Sequence, residues 1–166
     1  MSTNGTTHAF KNVLVIGGSF VGSSTAAQLA LALPATHRVL LIEPHSHFQH
    51  LFTFPRFAVV PGFEHKAFIP FDGFFKAEGV KDDERARVVR AKVESLGKQR
   101  AVLDRPVDVG HGEGNDKTLA YDYAVIATGT VLSPPGTLKE EGTDPLHTPG
   151  SIYHRDLTCN SSDREG

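Results

Sequence analysis

The chain has 166 residues, a formal net charge of −2, 39% hydrophobic and 22% charged residues. That length supports one good core, so a single domain is expected. The near-balanced charge gives no reason to expect nucleic acid or an anionic membrane as the main partner. Cys159 is the only cysteine, which excludes an internal disulfide or dithiol pair and fits a reducing, cytoplasmic compartment.

Residues 1–10 are polar and lack the basic start and long apolar run of a secretory signal. Ser2 stands where N-myristoylation needs glycine. No stretch reaches the roughly 20 apolar residues of a membrane-spanning helix, so no transmembrane segment is expected.

In chain order, Val13-Leu14-Val15-Ile16 is a short apolar run that predicts a strand buried on both faces. Ser23 to Leu33 is rich in small residues, Ala and Leu, and predicts a helix packed on a sheet and ended by Pro34. Arg38-Val39-Leu40-Leu41-Ile42 predicts a second strand closed by Glu43-Pro44, completing a βαβ unit. From Pro44 to Phe75, His, Phe and Pro recur without clean period, predicting a long functional loop with short helical pieces. Lys76 to Arg87 reads as a charged, solvated surface.

Val88–Leu96, Gln99–Asp104 and Thr118–Asp122 predict three short strands of an antiparallel meander, with a turn at Gly110 to Asp116. Ala124-Val125-Ile126-Ala127 returns to the buried-strand pattern and runs into Thr128-Gly129. The predicted fold class is therefore α/β, a Rossmann-like parallel sheet with helices plus an antiparallel meander. Residues 11–141 form the domain, incomplete at its C-terminal side, with 1–10 and 142–166 as disordered tails.

The main chemical signal is Gly17-Gly18-Ser19-Phe20-Val21-Gly22, after a strand and opening a helix. It approximates the dinucleotide fingerprint G-x-G-x-x-G with Ser19 at the middle glycine. Gly17 permits the sharp turn, small Ser19 lets a pyrophosphate approach, and Gly22 lets helix and strand pack closely. The competing reading is a glycine turn made only for packing. Glu43 ends the second strand, where the fingerprint wants an acid for the adenosine ribose; otherwise it is a surface acid that ends a strand. His45-x-His47-x-x-His50 lacks helical spacing and Cys or carboxylate partners, so loop histidines are expected and no metal. The phenylalanines from Phe48 to Phe75 suit core more than an apolar ligand. No nucleophile motif appears, and no catalytic side chain is assigned.

Tyr121-Asp122-Tyr123-Ala124-Val125-Ile126-Ala127-Thr128-Gly129, following a meander, resembles the two-dinucleotide-binding flavoprotein superfamily. Val15 to Gly22, Phe54-Pro55-Arg56-Phe57 and Glu64 to Pro70 resemble more narrowly the apoptosis-inducing-factor-like and ferroptosis-suppressor-type flavoproteins, especially those of fungi. The resemblance covers about residues 11–141. It implies FAD as cofactor and NAD(P)H as co-substrate. Gly17 to Gly22 would hold the pyrophosphate, Glu43 the ribose, and Arg56 would lie against the cofactor. The strand around Val93 would contact the adenine through its backbone, and Thr128-Gly129 would pass close to the cofactor. Thr137 stands where some relatives carry a lysine, and no second glycine fingerprint follows Gly129.

Three functions follow: an NAD(P)H-oxidising flavoenzyme passing electrons to a quinone or other small acceptor, a truncated non-catalytic dinucleotide-binding fragment, and a plain NAD-binding module. The meander and Thr128-Gly129 disfavour the last.

Overall fold

The computed structural model describes residues 10–81, 84–109 and 116–130. In chain order the elements are β1 (Lys11–Ile16), α1 (Phe20–Ala32), β2 (His37–Ile42), β3 (His47–Gln49), α2 (Phe54–Phe57), β4 (Phe68–Pro70), α3 (Phe74–Ala77), β5 (Ala86–Val89), β6 (Val93–Leu96), β7 (Arg100–Val107), β8 (Asp116–Ala120) and β9 (Tyr123–Ile126). The described residues form two units, 10–44 with 73–130, and His45–Asp72.

The first unit is built on a four-stranded sheet in the order β5-β2-β1-β9, with every pair parallel. β1 and β2 lie in the centre, and Leu14, Val15, Leu40 and Leu41 are wholly buried there. Parallel strands covered on both faces read as continuous apolar runs, which is why both were legible. α1 turns a face of small residues, Gly22, Ser23, Ala26, Ala27 and Ala30, into the interior. Such a face brings a helix close to its sheet. Leu33 is extended just beyond the helix, the conformation that a following Pro34 favours.

On one face of the sheet, Leu14, Ile16, Leu40 and Ile42 share a core with Val89, Ala91, Ala101, Leu103, Val109 and Leu119. The last four belong to or follow the three-stranded antiparallel meander β6-β7-β8. The meander is therefore the second layer of the first unit. Tyr121, after β8, donates its hydroxyl to the Gly97 carbonyl in the β6–β7 turn. Tyr121→Phe removes one hydrogen bond and should cost about 0.5–1.5 kcal/mol, read as a lower urea midpoint at unchanged slope.

Three expectations need correction. The run Val88–Leu96 is not one strand. Ala86–Val89 is the outer parallel strand β5 beside β2, and Val93–Leu96 is β6 of the meander. The break falls at Arg90-Ala91-Lys92, where Ala91 donates its amide to Val89 and is fully buried. The charged stretch Lys76 to Arg87 is also not all surface, since Val80 and Ala86 enter the core. β9 was expected to be buried, yet Tyr123 is 55% and Ile126 68% exposed. Among the described residues its only strand neighbour is β1, so it forms the edge of the sheet.

The second unit holds the antiparallel pair β3–β4, with Phe48 opposite Ile69. Between them lie α2 and 3-10 turns at Leu51–Thr53 and Glu64–Ala67, so the expected helical pieces are present. The small sheet was not foreseen, because two three-residue strands show no usable period. The phenylalanines divide: Phe71 is buried here and Phe75 in the first unit, whereas Phe52 is 79% exposed.

Candidate functional site

Gly17 leaves β1 with φ of +102°, a left-handed conformation suited to glycine. Its amide donates to the Ile42 carbonyl at the end of β2. A Cβ at Gly17 would stand 2.5 Å from the Ala127 carbonyl oxygen and 3.1 Å from the Thr128 Cα. Gly22, in the first turn of α1, is tighter: its Cβ would lie 1.7 Å from the Gly17 carbonyl oxygen and 3.3 Å from the Ala127 methyl. The start of the helix thus rests on the glycine turn, and the turn rests on Ala127-Thr128.

Glu43 is buried, and its carboxylate accepts a 2.6 Å hydrogen bond from the Gly18 amide. Two residues singled out separately in the sequence are therefore joined directly. The surface-acid alternative for Glu43 does not hold. Its own amide donates to Val89, so the ends of β5, β2, β1 and β9 converge on this point.

The start of α1 faces this convergence with the leading amides that a helix cannot satisfy internally. No acidic residue occupies the first turn, so no side chain of the helix competes for its positive end. Ser19 is the N-cap and is exposed, and Val21 is 69% exposed beside half-buried Phe20. Amides, helix dipole and close backbone approach suit a diphosphate, and a carboxylate at the end of β2 suits a ribose diol. The donor set fits a dinucleotide.

The remaining candidates stand differently. Thr128 borders Gly17, as its Cα distance shows. Gly129 has φ of +66°, but a Cβ there would meet nothing within 4 Å. Glycine serves there for its conformation and not for lack of room. Val93 begins β6 opposite Leu103 and packs against the core, so its side chain has a structural task. Arg56 lies exposed on α2 and belongs to the second unit, whereas the glycine turn and Glu43 belong to the first. Thr137 lies outside the described residues. Among the described residues, no three His, Cys, Asp or Glu side chains gather as a metal site. No described helix is long and apolar enough to cross a membrane.

Sequence reasoning missed Ala127, whose small side chain and carbonyl form the floor under Gly17 and Gly22. Its position just before Thr128-Gly129 was the available signal.

No protein-family model matches the chain. Among solved structures, 91% of the chain superposes on 33% of the sulfide:quinone oxidoreductase from the hyperthermophilic bacterium Aquifex aeolicus, with TM-score 0.55 and 22% identity. Reduced Bacillus anthracis CoADR-RHD matches 77% of the chain over 22% of its own length, with TM-score 0.53 and 17% identity. What the chain shares with these structures is the fold, a Rossmann-like parallel sheet with helices plus antiparallel strands. NDH2 from Plasmodium falciparum in complex with NADH is also similar, with TM-score 0.52 and 16% identity over 75% of the chain and 23% of its own. In sequence, the chain is 32% identical over 125 residues to Fe-regulated protein 8 of Mycosarcoma maydis. It is 30% identical over 139 residues to oxidoreductase ptaL of Pestalotiopsis fici. These alignments take in 75% and 80% of the chain but only 31% and 35% of the relatives. The chain thus spans about a third of the length of each.

Proposed function

We propose that residues 11–141 are the FAD-binding part of an NAD(P)H-dependent flavoprotein oxidoreductase that passes electrons to a quinone or similar acceptor. One observation carries the reading. The glycine turn, Glu43 and Ala127-Thr128, separate in the sequence, meet at the carboxyl ends of parallel strands, where open α/β sheets bind their ligands. The meander supports FAD over a plain NAD module. The narrower likeness to apoptosis-inducing-factor-like flavoproteins of fungi rests on Val15 to Gly22, Phe54 to Phe57 and Glu64 to Pro70. NADH in the NDH2 complex and quinone in the name of the Aquifex enzyme support the proposed donor and acceptor. A reducing compartment such as the cytoplasm belongs to the same reading, supported by the single cysteine.

The flavin, when bound, supplies the redox chemistry; the chain holds and orients it. The turn amides and the positive end of α1 would take the diphosphate. Glu43 would offer its carboxylate as acceptor to the ribose hydroxyls. The test is the visible absorbance of the purified chain after adding FAD and removing the excess. Retained yellow flavin is the expected result, and a colourless protein together with no titratable FAD affinity would overturn it.

Glu43→Ala should weaken FAD binding by about 1.5–3 kcal/mol, since it removes charge-assisted hydrogen bonds. Glu43→Gln should bind better than Glu43→Ala, because its amide oxygen can still accept from Gly18. Equal affinity of wild type and Glu43→Ala in a fluorescence titration would remove Glu43 from the binding role.

A further inference from the structure

Six consecutive residues of the second unit, Ala58-Val59-Val60-Pro61-Gly62-Phe63, are exposed, and none has a polar side chain. Val59 is 77% and Phe63 43% exposed, and a Cβ added at Gly62 would meet nothing within 4 Å. An unbroken apolar run facing water marks a surface that something apolar covers. Both ends of the loop are anchored, because α2 before it packs on the Glu64–Ala67 turn after it.

The backbone of this loop is already paired. The Ala58 amide donates to the Phe54 carbonyl, and the Val59 and Val60 amides both donate to the Arg56 carbonyl. Pro61 has no amide hydrogen, and the Gly62 amide donates to the Glu64 carboxylate at 3.0 Å. Every amide of residues 58–62 is thus satisfied from within the same short segment. Water does not demand that, whereas a hydrocarbon medium does. A strand docking through main-chain hydrogen bonds would find no amide to accept from in residues 58–62. Cations border the run: Arg56 is exposed before it, and the Lys66 ammonium after it lies 4.8 Å from the centre of the Phe63 ring. The acid beside the run, Glu64, is engaged by Gly62.

We infer that loop 58–63 docks on a phospholipid surface. Val59, Val60 and Phe63 enter at the boundary between headgroups and acyl chains, and Arg56 and Lys66 meet anionic headgroups. The near-zero net charge of the whole chain hides this, because the arrangement is local. So small an apolar tip gives weak, reversible binding, not a permanent anchor. The inference is independent of the dinucleotide site.

The chain has no tryptophan, so Phe63→Trp creates a single fluorescent reporter at the tip. Its emission should shift to the blue on adding vesicles of equal parts phosphatidylcholine and phosphatidylserine. An emission unmoved by these vesicles overturns the inference. Sedimentation of the full chain with the same vesicles then gives the partition coefficient. Val59→Asp should lower it about ten-fold or more, as expected for losing one buried aliphatic side chain. Lys66→Gln should lower it roughly five-fold on these vesicles and leave it unchanged on phosphatidylcholine alone. Leu96→Ser, which removes an exposed apolar residue of the first unit, should bind as wild type does. Equal losses in Val59→Asp and Leu96→Ser would overturn the assignment to this loop. Self-association of the wild-type chain on gel filtration, abolished by Val59→Asp, would also overturn it, by showing that a second copy covers the tip.

Discussion

Gly22→Val should abolish FAD binding and destabilise the chain by about 3 kcal/mol or more, beyond the usual cost of overpacking. A Cβ at position 22 would overlap the Gly17 carbonyl oxygen at 1.7 Å, and that oxygen cannot swing away. Gly17 is held by the hydrogen bond its amide donates to the Ile42 carbonyl, and the Ala127 carbonyl stands where a Cβ on Gly17 would go. The helix start must therefore lift off the turn, taking its amides out of register with Gly18 and Glu43. The interior of the sheet does not depend on that turn, so the far-UV circular dichroism should keep most of its strand signal. A titration returning wild-type FAD affinity for Gly22→Val would show that this turn does not hold the cofactor. Gly22→Ala should follow the same course, because its first carbon already makes the collision.

Arg38→Met should lower stability by roughly 2–6 kcal/mol, since two buried acceptors lose their donor at about 1–3 kcal/mol each. Arg38 is 2% exposed within β2. Its Nε donates to the Asn12 Oδ1 at 2.9 Å, and a terminal nitrogen donates to the Val109 carbonyl at 2.9 Å. The guanidinium also lies 5.9 Å from the centre of the Phe10 ring. Asn12 in turn donates its side-chain nitrogen to Ala120 and its backbone amide to the Asp122 carboxylate. The network fastens β1 and β2 to the residues after β7 and β8, at the end of the sheet opposite the glycine turn. Urea unfolding measures the effect directly. A midpoint shifted by less than the Tyr121→Phe variant's would mean that the network is energetically idle. FAD affinity at saturating stability should change little, which separates this fastening from the candidate site.

The two predictions rest on features with very different visibility in the sequence. The glycine turn was legible because its signals are local: an apolar run, closely spaced glycines, then a helix-forming stretch ended by Pro34. That Glu43 follows the second strand was legible by position alone. Its bond to Gly18 was not, because it joins residues 25 positions apart. Arg38 and Asn12 read as ordinary residues at strand starts, and nothing in their neighbours announces that both are buried. Val88–Leu96 was read as one strand because the break at Arg90-Ala91-Lys92 contains neither Gly nor Pro. Arg56 was singled out by resemblance, and its place is in the second unit.

The sequence by itself determined the βαβ unit, the position of the glycine turn and the presence of a meander. Each follows from short-range periodicity and backbone preference, which act between neighbours along the chain. Only the tertiary structure decided that Ala127 forms the floor of the turn, that Glu43 is spent partly on Gly18, and that apolar β9 lies at an edge. Those outcomes depend on which strands become neighbours. Strand order is set by how distant segments share one core, and no local run of residues carries that information.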